Sequence, residues 1–425
     1  MKKWFAIYSD MLHMQFSERF LQLPESAKKA YSPKHPLVRL LRVFGYIFLR
    51  LVGNIFLNVE RPPHLKGKIW LYVVSQNNYD SLKFLQEKLP DTVSVAGQSK
   101  SLGKYKADVE RISLRSKILH YYKLLPLVAV FLKYKRQSTL RFYDVLFDAV
   151  GFYEVYLHKL RKYAPQAIVF ANDHNADARA MLLAARKLGI KTIYIQHASV
   201  STMFPPLSFD LSLLEGQDSL DKYTVCGPIQ GQVRLIGMPK ADEFVSYRNT
   251  NKVIRTIGIG FNVIDELAEA EKLLSALVES LPKLTIIFRP HPRDTRNFAS
   301  LTNISQSIRI SDSRTVTTFD YIKQIDVQIS ATSGIHLEAV LLNVWSIYYD
   351  FSLSQELNDY YGYIKHGLVD VAGTTQELIQ HIQQKINAKP DVLHRAKYYN
   401  ATVDSLYDGQ SSELATNYIA TFLLN

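Results

Sequence analysis

The sequence predicts an α/β protein made of two Rossmann-like, doubly wound domains that face a cleft, preceded by a basic helical N-terminal region. Short apolar strands alternate with helical segments along most of the chain, which is typical of parallel sheets covered on both faces. The alternation restarts after a polar stretch at 246–253. The 425 residues provide enough chain for two or three domains.

In the first half, the alternation follows a group of basic helices. A glycine at 189 closes the second of its two clearest helices. We predict strands at 68–75, 92–97, 167–173 and 191–197, and helices at 139–163 and 176–189.

In the second half, apolar runs and helical periodicity alternate again. We predict strands at 253–262, 283–292, 325–334 and 344–350, with helices at 263–281, 317–324 and 335–342. The domain boundaries that follow are 1–246, with basic amphipathic helices in 1–60, and 247–425, whose final helix can pack back on the first domain. Ligands in such sheets bind at the carboxyl ends of strands, which places a site in the cleft.

The positive charge is concentrated in the first third of the chain. Residues 1–136 hold 24 Lys and Arg against 9 Asp and Glu, and the remaining residues hold 27 against 30. The basic segments are interleaved with aliphatic and aromatic residues, which suits an anionic membrane surface or an anionic acceptor. A solvated basic face over ordinary core helices is the alternative. We find no nucleic-acid-binding motif, so nucleic acid is not expected as a partner.

Several classes of protein are excluded by composition. A single cysteine, Cys226, rules out a disulfide framework and a cysteine-based zinc site, and fits a reducing compartment. The N-terminus lacks the apolar core of a secretory signal. The longest apolar runs, 43–49 and 124–132, are shorter than the ~20 residues that span a bilayer. We therefore expect a cytoplasmic protein.

A loop with two prolines at the end of a predicted strand favours an anion site. In "FRPHPRDTR", the side chains of Arg289, His291 and Arg293 follow the strand. Guanidinium and imidazole groups bind anions, and the two prolines restrict the loop that carries them, so little conformational entropy of the loop is lost on binding. A basic surface loop is the alternative reading.

The next strand end provides a second part of this site. In "ISATSGIHLEA", Thr332, Ser333 and Gly334 lead from a strand into a helix, whose N–H groups suit a phosphate. Ser333 is equally explained as an N-cap. Glu338, one turn later, can accept hydrogen bonds from ribose hydroxyls. In "IGIGFN", Gly260 lets the backbone approach the same phosphate, or only forms a tight turn.

Candidate general bases follow two neighbouring strands of the first half. Asp173 and His174 end one strand, and His197 ends the next. Capping of the following helix by Asp173 or Asn175 is the alternative explanation for the first pair. No His, Asp or Glu cluster has metal-ligand spacing, so we expect neither a metal nor another cofactor.

Three motifs carry a family resemblance: "QHA" at 196–198, "RPHP" at 289–292 and "SATSG" at 330–334. With them the chain resembles bacterial surface-polysaccharide glycosyltransferases of the two-Rossmann GT-B type. The group includes CDP-glycerol glycerophosphotransferases, sialyl- and polysialyltransferases, and capsule or lipopolysaccharide Kdo transferases. The motifs cover roughly residues 165–345, and the layout covers the whole chain.

The resemblance implies roles for specific residues. His291, Thr332 and Ser333 would hold the phosphate of a cytidine nucleotide, and His197 would lie by the acceptor as a base. The sequence departs from the group at Ala198, where glycine is usual, and at Leu214, where sialyltransferases carry the first residue of an acidic pair. The donor is therefore left open among CMP-Kdo, CMP-sialic acid and CDP-polyols.

The activity implied is inverting transfer from a CMP- or CDP-activated donor to a glycan or lipid-linked glycan, at the inner face of the cytoplasmic membrane. A base among Asp173, His174 and His197, with Glu215 next in line, would deprotonate the acceptor. A UDP-GlcNAc 2-epimerase is the alternative, since those enzymes share the layout and a similar Ser-Gly-Gly-x-x-Glu loop. A non-catalytic scaffold is a third reading.

Overall fold

A computed structural model describes residues 2–52, 60–98, 109–352 and 359–424. The chain forms two compact units. Unit 1 comprises residues 1–236 together with 412–425, and unit 2 comprises residues 237–411. Each contains one parallel β-sheet, so the structure confirms the predicted α/β class with two parallel sheets.

Helices account for much of unit 1 and flank the strands of unit 2. The α-helices are α1 (Lys2–Met11), α2 (Glu18–Gln22), α3 (Glu25–Lys29), α4 (Pro36–Leu51), α5 (Pro62–Leu65), α6 (Gln76–Lys88), α7 (Leu124–Tyr134), α8 (Arg136–Ala149), α9 (Phe152–Tyr163), α10 (Ala176–Leu188), α11 (Gln217–Cys226), α12 (Leu267–Ser280), α13 (Thr318–Ile322), α14 (Ile335–Leu341), α15 (Thr375–Lys385) and α16 (Ser411–Leu424). Segments of 3₁₀ helix span Arg115–Lys123, Pro239–Tyr247, Ala299–Asn303 and Leu393–Tyr398.

The strands are short and mostly buried, as expected for sheets covered on both faces. They are β1 (Ile69–Tyr72), β2 (Thr92–Gly97), β3 (Val109–Ile112), β4 (Ala167–Phe170), β5 (Lys191–Ile195), β6 (Leu211–Leu214), β7 (Gln232–Leu235), β8 (Thr256–Phe261), β9 (Thr285–Pro290), β10 (Ile308–Ile310), β11 (Val327–Ser330), β12 (Trp345–Tyr349) and β13 (Asp370–Ala372).

The sheet of unit 1 has the order β3-β2-β1-β4-β5-β6-β7, with every neighbouring pair parallel. Alternate side chains enter two different cores. Trp70 and Tyr72 face one core, and Leu71 faces the other, where the final helix α16 contributes Leu414 and Ile419. Helix α16 therefore covers one face of this sheet.

The sheet of unit 2 has the order β10-β9-β8-β11-β12-β13 and is also parallel throughout. The strand order reverses direction between β8 and β11. In open parallel sheets such a reversal opens a crevice at the carboxyl ends of the strands. The loops that follow β8, β9 and β11 are those singled out in the sequence.

The division between the units differs in position from the boundary predicted at 246/247. It lies after Ile236, and the Pro239–Tyr247 segment packs within unit 2. Phe244 stacks on Phe319 with ring centroids 4.4 Å apart, and the Arg248 side chain donates to the Leu341 carbonyl. The polar composition of this stretch resembles a linker, but these contacts attach it to unit 2.

The single helix predicted at 139–163 is two helices, α8 and α9, which meet at Gly151. Gly151 has a φ of +87°, and a Cβ there would lie 3.0 Å from the backbone of Lys117. Only glycine fits this turn without strain. The helical periodicity continues through the break, so the pattern did not reveal it.

The basic region predicted at 1–60 contains helices α1 to α4, and its residues 53–59 lie outside the described part of the chain. Within the described ranges, no helix combines the length and the apolarity needed to cross a membrane.

Candidate active site

Four adjacent strands of unit 1 end in polar residues on the same edge of the sheet. β1, β4, β5 and β6 are consecutive neighbours and parallel, so their carboxyl ends lie side by side. Asn78 follows β1, Asp173 follows β4, His197 follows β5 and Glu215 follows β6. All but His197 are buried. Three hydrogen-bonded groups include these residues.

The first group is an acid–imidazole pair. Asp173 Oδ1 lies 2.9 Å from His174 Nδ1, and the Tyr223 hydroxyl donates to Asp173 Oδ2 at 2.7 Å. Burial by itself would raise the pKa of Asp173, but the bonds from His174 and Tyr223 and the charge of Arg179 outweigh it and lower the pKa. Asp173 is therefore an ionised, buried carboxylate.

This carboxylate determines the tautomer of His174. An ionised carboxylate only accepts hydrogen bonds, so the proton lies on Nδ1 and Nε2 is the basic nitrogen of the neutral ring. The ring stacks on Phe204, with centroids 4.2 Å apart and an interplanar angle of 21°. The side chain remains 19% exposed. Orientation of an imidazole by a buried carboxylate is the arrangement found in general-base catalysis.

Of the two residues predicted as alternative caps of α10, Asn175 is the one that caps the helix. The Asn175 side chain accepts from the Asp177 N–H at 3.0 Å and is the N-cap of α10. Asn172 in turn accepts from the Asn175 N–H at 2.8 Å. Capping therefore does not account for Asp173, whose two oxygens bind His174 and Tyr223.

The second group holds His197 in the same tautomer as His174, but with its basic nitrogen engaged. Asn78 Nδ2 lies 3.2 Å from His197 Nε2 and 3.4 Å from the Ala171 carbonyl, while Asn78 Oδ1 accepts from the Val74 N–H at 3.3 Å. The two backbone contacts fix which way the amide points, so Nδ2 donates and Nε2 of His197 accepts. The proton of neutral His197 then lies on Nδ1, and its basic nitrogen is engaged by Asn78.

Gln196 connects the ends of β5 and β6. Its Oε1 accepts from the Glu215 N–H at 2.9 Å, and its Nε2 donates to the Ala198 carbonyl at 3.0 Å and to Glu215 Oε2 at 3.2 Å. Both side chains are buried. This bridge positions the "QHA" segment, and Glu215 forms part of it.

In unit 2, the loop after β9 presents His291 in a defined state. The ring Nδ1 of His291 accepts from the backbone N–H of Arg293 at 3.1 Å. The backbone N–H of His291 donates to the Phe261 carbonyl at 2.8 Å. Burial and the charge of Arg293 lower the pKa of His291. The ring is therefore neutral near pH 7, with a proton on Nε2 that can be donated to an anion.

The same loop is braced by an arginine. Arg296 donates to the Asp294 carboxylate through Nε at 3.0 Å and Nη2 at 2.6 Å, and to the carbonyls of Asp265 at 2.6 Å and Asn262 at 2.9 Å. The loops after β8 and β9 are thereby joined. Such a joint reduces the motion of the groups it carries, which favours a preorganised site.

Arg289 lies inside the unit at the end of β9. Its guanidinium donates to the Ser311 hydroxyl at 3.1 Å and to the Val316 carbonyl at 2.9 Å, and it lies over the Tyr321 ring. Burial lowers its pKa. These contacts give Arg289 a structural function in holding the 311–316 segment against β9.

The "SATSG" turn after β11 is held by a histidine that the sequence reading did not consider. His336 Nε2 lies 2.9 Å from the Ala331 carbonyl and Nδ1 lies 2.7 Å from the Ser346 hydroxyl. A carbonyl only accepts, so Nε2 carries the proton. Thr332, Ser333 and Gly334 are half-buried.

The two remaining predicted nucleotide-binding residues, Glu338 and Gly260, are explained by contacts inside unit 2. Glu338 pairs with Lys240, Oε1 to Nζ, at 2.7 Å. Gly260 lies within β8 rather than in a turn, and a Cβ there would come within 2.9 Å of the Gln328 side chain and 3.2 Å of the Ser330 hydroxyl. Close packing against β11 explains this glycine.

The residues that support both sites could not be identified from local pattern. They share one property, which is that each contacts a partner that lies in a different loop, strand or helix. They are Asn78, Phe204, Tyr223, Arg296 and His336. Phe204 had a weak signal, because it precedes the Pro205-Pro206 loop. Among the described residues, no group of three or more His, Cys, Asp or Glu is placed to hold a metal ion.

The fold and these strand-end sites place the chain in the GT-B class of folds, in which two Rossmann-like units follow one another. No protein-family model matches the chain, and no curated protein matches it in sequence. The class is therefore established by structure alone.

Solved structures of enzymes match over most of the chain. A putative UDP-N-acetylglucosamine 2-epimerase from Listeria monocytogenes has a TM-score of 0.54 at 12% identity, covering 84% of this chain and 96% of that one. The UDP-GlcNAc 2-epimerase from Neisseria meningitidis, bound to UDP-GlcNAc, has a TM-score of 0.53 at 13% identity, covering 84% and 100%. The wall teichoic acid polymerase TagF has a TM-score of 0.50 at 11% identity, covering 91% and 97%.

Proposed function

We propose that this protein is a bacterial glycosyltransferase that transfers Kdo, sialic acid or a related residue from a CMP- or CDP-activated donor to a glycan acceptor with inversion. The observation that carries this proposal is the Asp173–His174 pair, a carboxylate-oriented imidazole at the strand ends of a GT-B fold. Direct displacement needs one such base for the acceptor hydroxyl. Kdo and sialic acid are the candidate sugars.

In this reaction the roles of the unit 1 residues follow from their hydrogen bonds. His174 Nε2 takes the proton of the acceptor hydroxyl as its oxygen attacks the anomeric carbon, and the bond to the nucleotide phosphate breaks. Asp173 holds the ring and stabilises the imidazolium that forms. His197 lies at the neighbouring strand end, where its Nε2 accepts from Asn78.

The donor nucleotide is assigned to unit 2. His291 donates through Nε2–H to a phosphate oxygen, and the exposed cation of Arg293 lies beside it. The half-buried turn of Thr332, Ser333 and Gly334 presents hydroxyl and backbone N–H groups to the same phosphate. Preorganised donors of this kind stabilise a leaving phosphate by ~3–4 kcal/mol each. Transfer without a metal stays a prediction, which activity in excess EDTA tests.

A calorimetric and thermal-shift comparison of CMP, CDP, UDP and UDP-GlcNAc tests the donor assignment. We expect CMP or CDP to bind most tightly, and His291→Ala to weaken that binding about tenfold or more, because hydrogen bonds to charged groups contribute ~1.5–3 kcal/mol. His394→Ala is the matched control, since His394 is an exposed histidine of the same unit. Unchanged affinity in folded His291→Ala would remove the assignment.

A UDP-GlcNAc 2-epimerase is the second candidate function. The epimerase structures from Listeria monocytogenes and Neisseria meningitidis match this fold at least as well as the polymerase does. Tighter binding of UDP or UDP-GlcNAc than of the cytidine nucleotides would favour the epimerase. Absence of binding by all four nucleotides would count against both enzymes.

We also propose that the protein works on a lipid-linked glycan at the inner face of the cytoplasmic membrane. The excess of basic residues in the first third of the chain supports an attraction to anionic lipids. Sedimentation with anionic vesicles at low salt is the measurement, and a protein that stays in the supernatant would argue against it.

A further inference from the structure

Helix α4 has the reverse of the usual polarity of a surface helix. Its three arginines face the protein, where Arg39 donates to the Leu140 carbonyl at 2.8 Å, Arg42 to the Tyr31 carbonyl at 2.6 Å, and Arg50 lies 3.5 Å from Asp148. Arg39 and Arg50 are buried. The cations of this helix are therefore satisfied internally.

The opposite side of α4 is apolar and exposed. Successive spacings of four and three residues place one row along the outward side, with fractional exposures between 49% and 68%: Leu37, Leu41, Phe44, Phe48 and Leu51. Val38, Leu40 and Leu49 are exposed on its flanks. Pro36–Leu51 contains no Asp or Glu. We call this outward side the α4 face.

Exposed apolar side chains are also found on the segments that follow in the same unit. The Arg115–Lys123 segment packs beside α4, and it leaves Leu119 and Tyr122 exposed, as α7 leaves Leu125 exposed. Lys34, just before α4, and Arg115, at the start of the neighbouring segment, are exposed. Exposed apolar side chains with exposed cations on the same elements or next to them complement the interface of an anionic bilayer.

We propose that the α4 face inserts into the headgroup region of an anionic lipid bilayer, so that apolar burial, rather than the arginines of the helix, holds the protein on the membrane. This inference rests on the proposed membrane association and is independent of the donor nucleotide. About half of the helix circumference is exposed and apolar. Pairing with the same helix of a second copy would bury only a narrow apolar seam and leave the rest of the α4 face exposed. A bilayer buries the whole face, so it is the better match for its width.

The test compares Phe44→Ser/Phe48→Ser with a matched control, Leu406→Ser/Tyr407→Ser, which removes exposed apolar side chains of unit 2. Sedimentation uses vesicles of phosphatidylcholine with phosphatidylglycerol, at low and high salt. We expect the double variant to bind about tenfold more weakly for each phenylalanine lost. The wild type and the control should bind equally and retain most of their binding at high salt.

Three results would overturn the proposal. Equal binding by the double variant and the wild type would remove the α4 face from the contact. Complete loss of wild-type binding at high salt would mean adsorption by charge. A dimer in the wild type, absent in the double variant by light scattering, would mean that a second copy covers this face.

The same variant separates this inference from the proposed enzyme. Circular dichroism melting checks that the double variant folds, and Phe44→Ser alone is the milder substitute if it does not. Nucleotide binding should be the same in the variant as in the wild type. A vesicle-binding defect with intact nucleotide binding supports insertion whichever donor is used, whereas a joint loss of both counts against it.

Discussion

Acidification should destabilise the folded protein through His336. Its ring is 1% exposed, with Nε2–H donating to the Ala331 carbonyl and Nδ1 accepting from the Ser346 hydroxyl. Burial lowers the pKa of His336 from 6.5 to about 4. Between these values the unfolded chain binds a proton that the folded chain does not. The stabilisation is therefore complete above pH 6.5 and is lost as the pH falls towards 4.

The size of the effect follows from the two pKa values. Each unit corresponds to ~1.36 kcal/mol, so the free energy of unfolding should decrease by about 3 kcal/mol through this one group. Urea unfolding followed by circular dichroism, near pH 7 and near pH 4, measures it. His336→Gln keeps a donor and an acceptor but cannot titrate. On acidification, the variant should therefore lose about 3 kcal/mol less of its free energy of unfolding than the wild type does.

The control is His394→Gln, which changes an exposed histidine of the same unit and should leave the pH dependence of the wild type unaltered. If His336→Gln loses as much stability as the wild type between the two pH values, the imidazole is not held neutral. The account of how the "SATSG" turn is fixed would then be refuted.

The remaining predictions concern three groups in unit 1. Replacing His174 by Gln, or Asp173 by Asn, should reduce turnover by ~10²–10⁴ with donor affinity intact, measured as separate initial-rate and binding experiments. A larger loss for His197→Gln would transfer the role of base to that residue. Nitrogen NMR should find the proton of neutral His197 on Nδ1, and Asn78→Ala should abolish that preference. An unchanged spectrum would contradict the assigned contact. Burial lowers the pKa of Lys117 from 10.5 to about 7, so wild-type stability should rise above pH 7, by at most ~1.4 kcal/mol per pH unit. In urea unfolding, the free energy of unfolding of Lys117→Met should lack this rise with pH. If it rises equally with pH in the variant and the wild type, the lowered pKa of Lys117 is refuted.

Much of the fold could be predicted from the sequence because its determinants are local. Apolar strands such as Thr92–Gly97, and the end of α10 at its C-cap Gly189, are determined by residues that are consecutive in the sequence. The placement of Asp173, His197 and His291 after strands followed from the same pattern. Parallel strands bring their carboxyl ends to one edge, so adjacency of the Asp173 and His197 loops in unit 1 needed no further information.

The rest depends on contacts between distant segments. Tyr223 contacts Asp173 from α11, and Asn78, which follows β1, contacts His197, which follows β5. The tautomers of the histidines therefore depend on tertiary contacts. The inward arginines of α4 are explained by acceptors on α8 and its neighbours, which helical periodicity does not reveal. The break at Gly151 likewise depends on the proximity of Lys117.

The return of the chain from unit 2 to unit 1 has a consequence for biosynthesis. Helix α16 lies at the end of the chain, and its Leu414 and Ile419 cover one face of the first sheet. A ribosome that adds ~5–20 residues per second needs roughly 10–35 s to make unit 2, residues 237–411. During that interval the face of the first sheet that carries Leu71 and Val169 lacks the side chains of α16 that complete its core. Residues translated after unit 2 thus complete the unit that was begun first, and termination before α16 would leave that face of the sheet open to aggregation and chaperone capture.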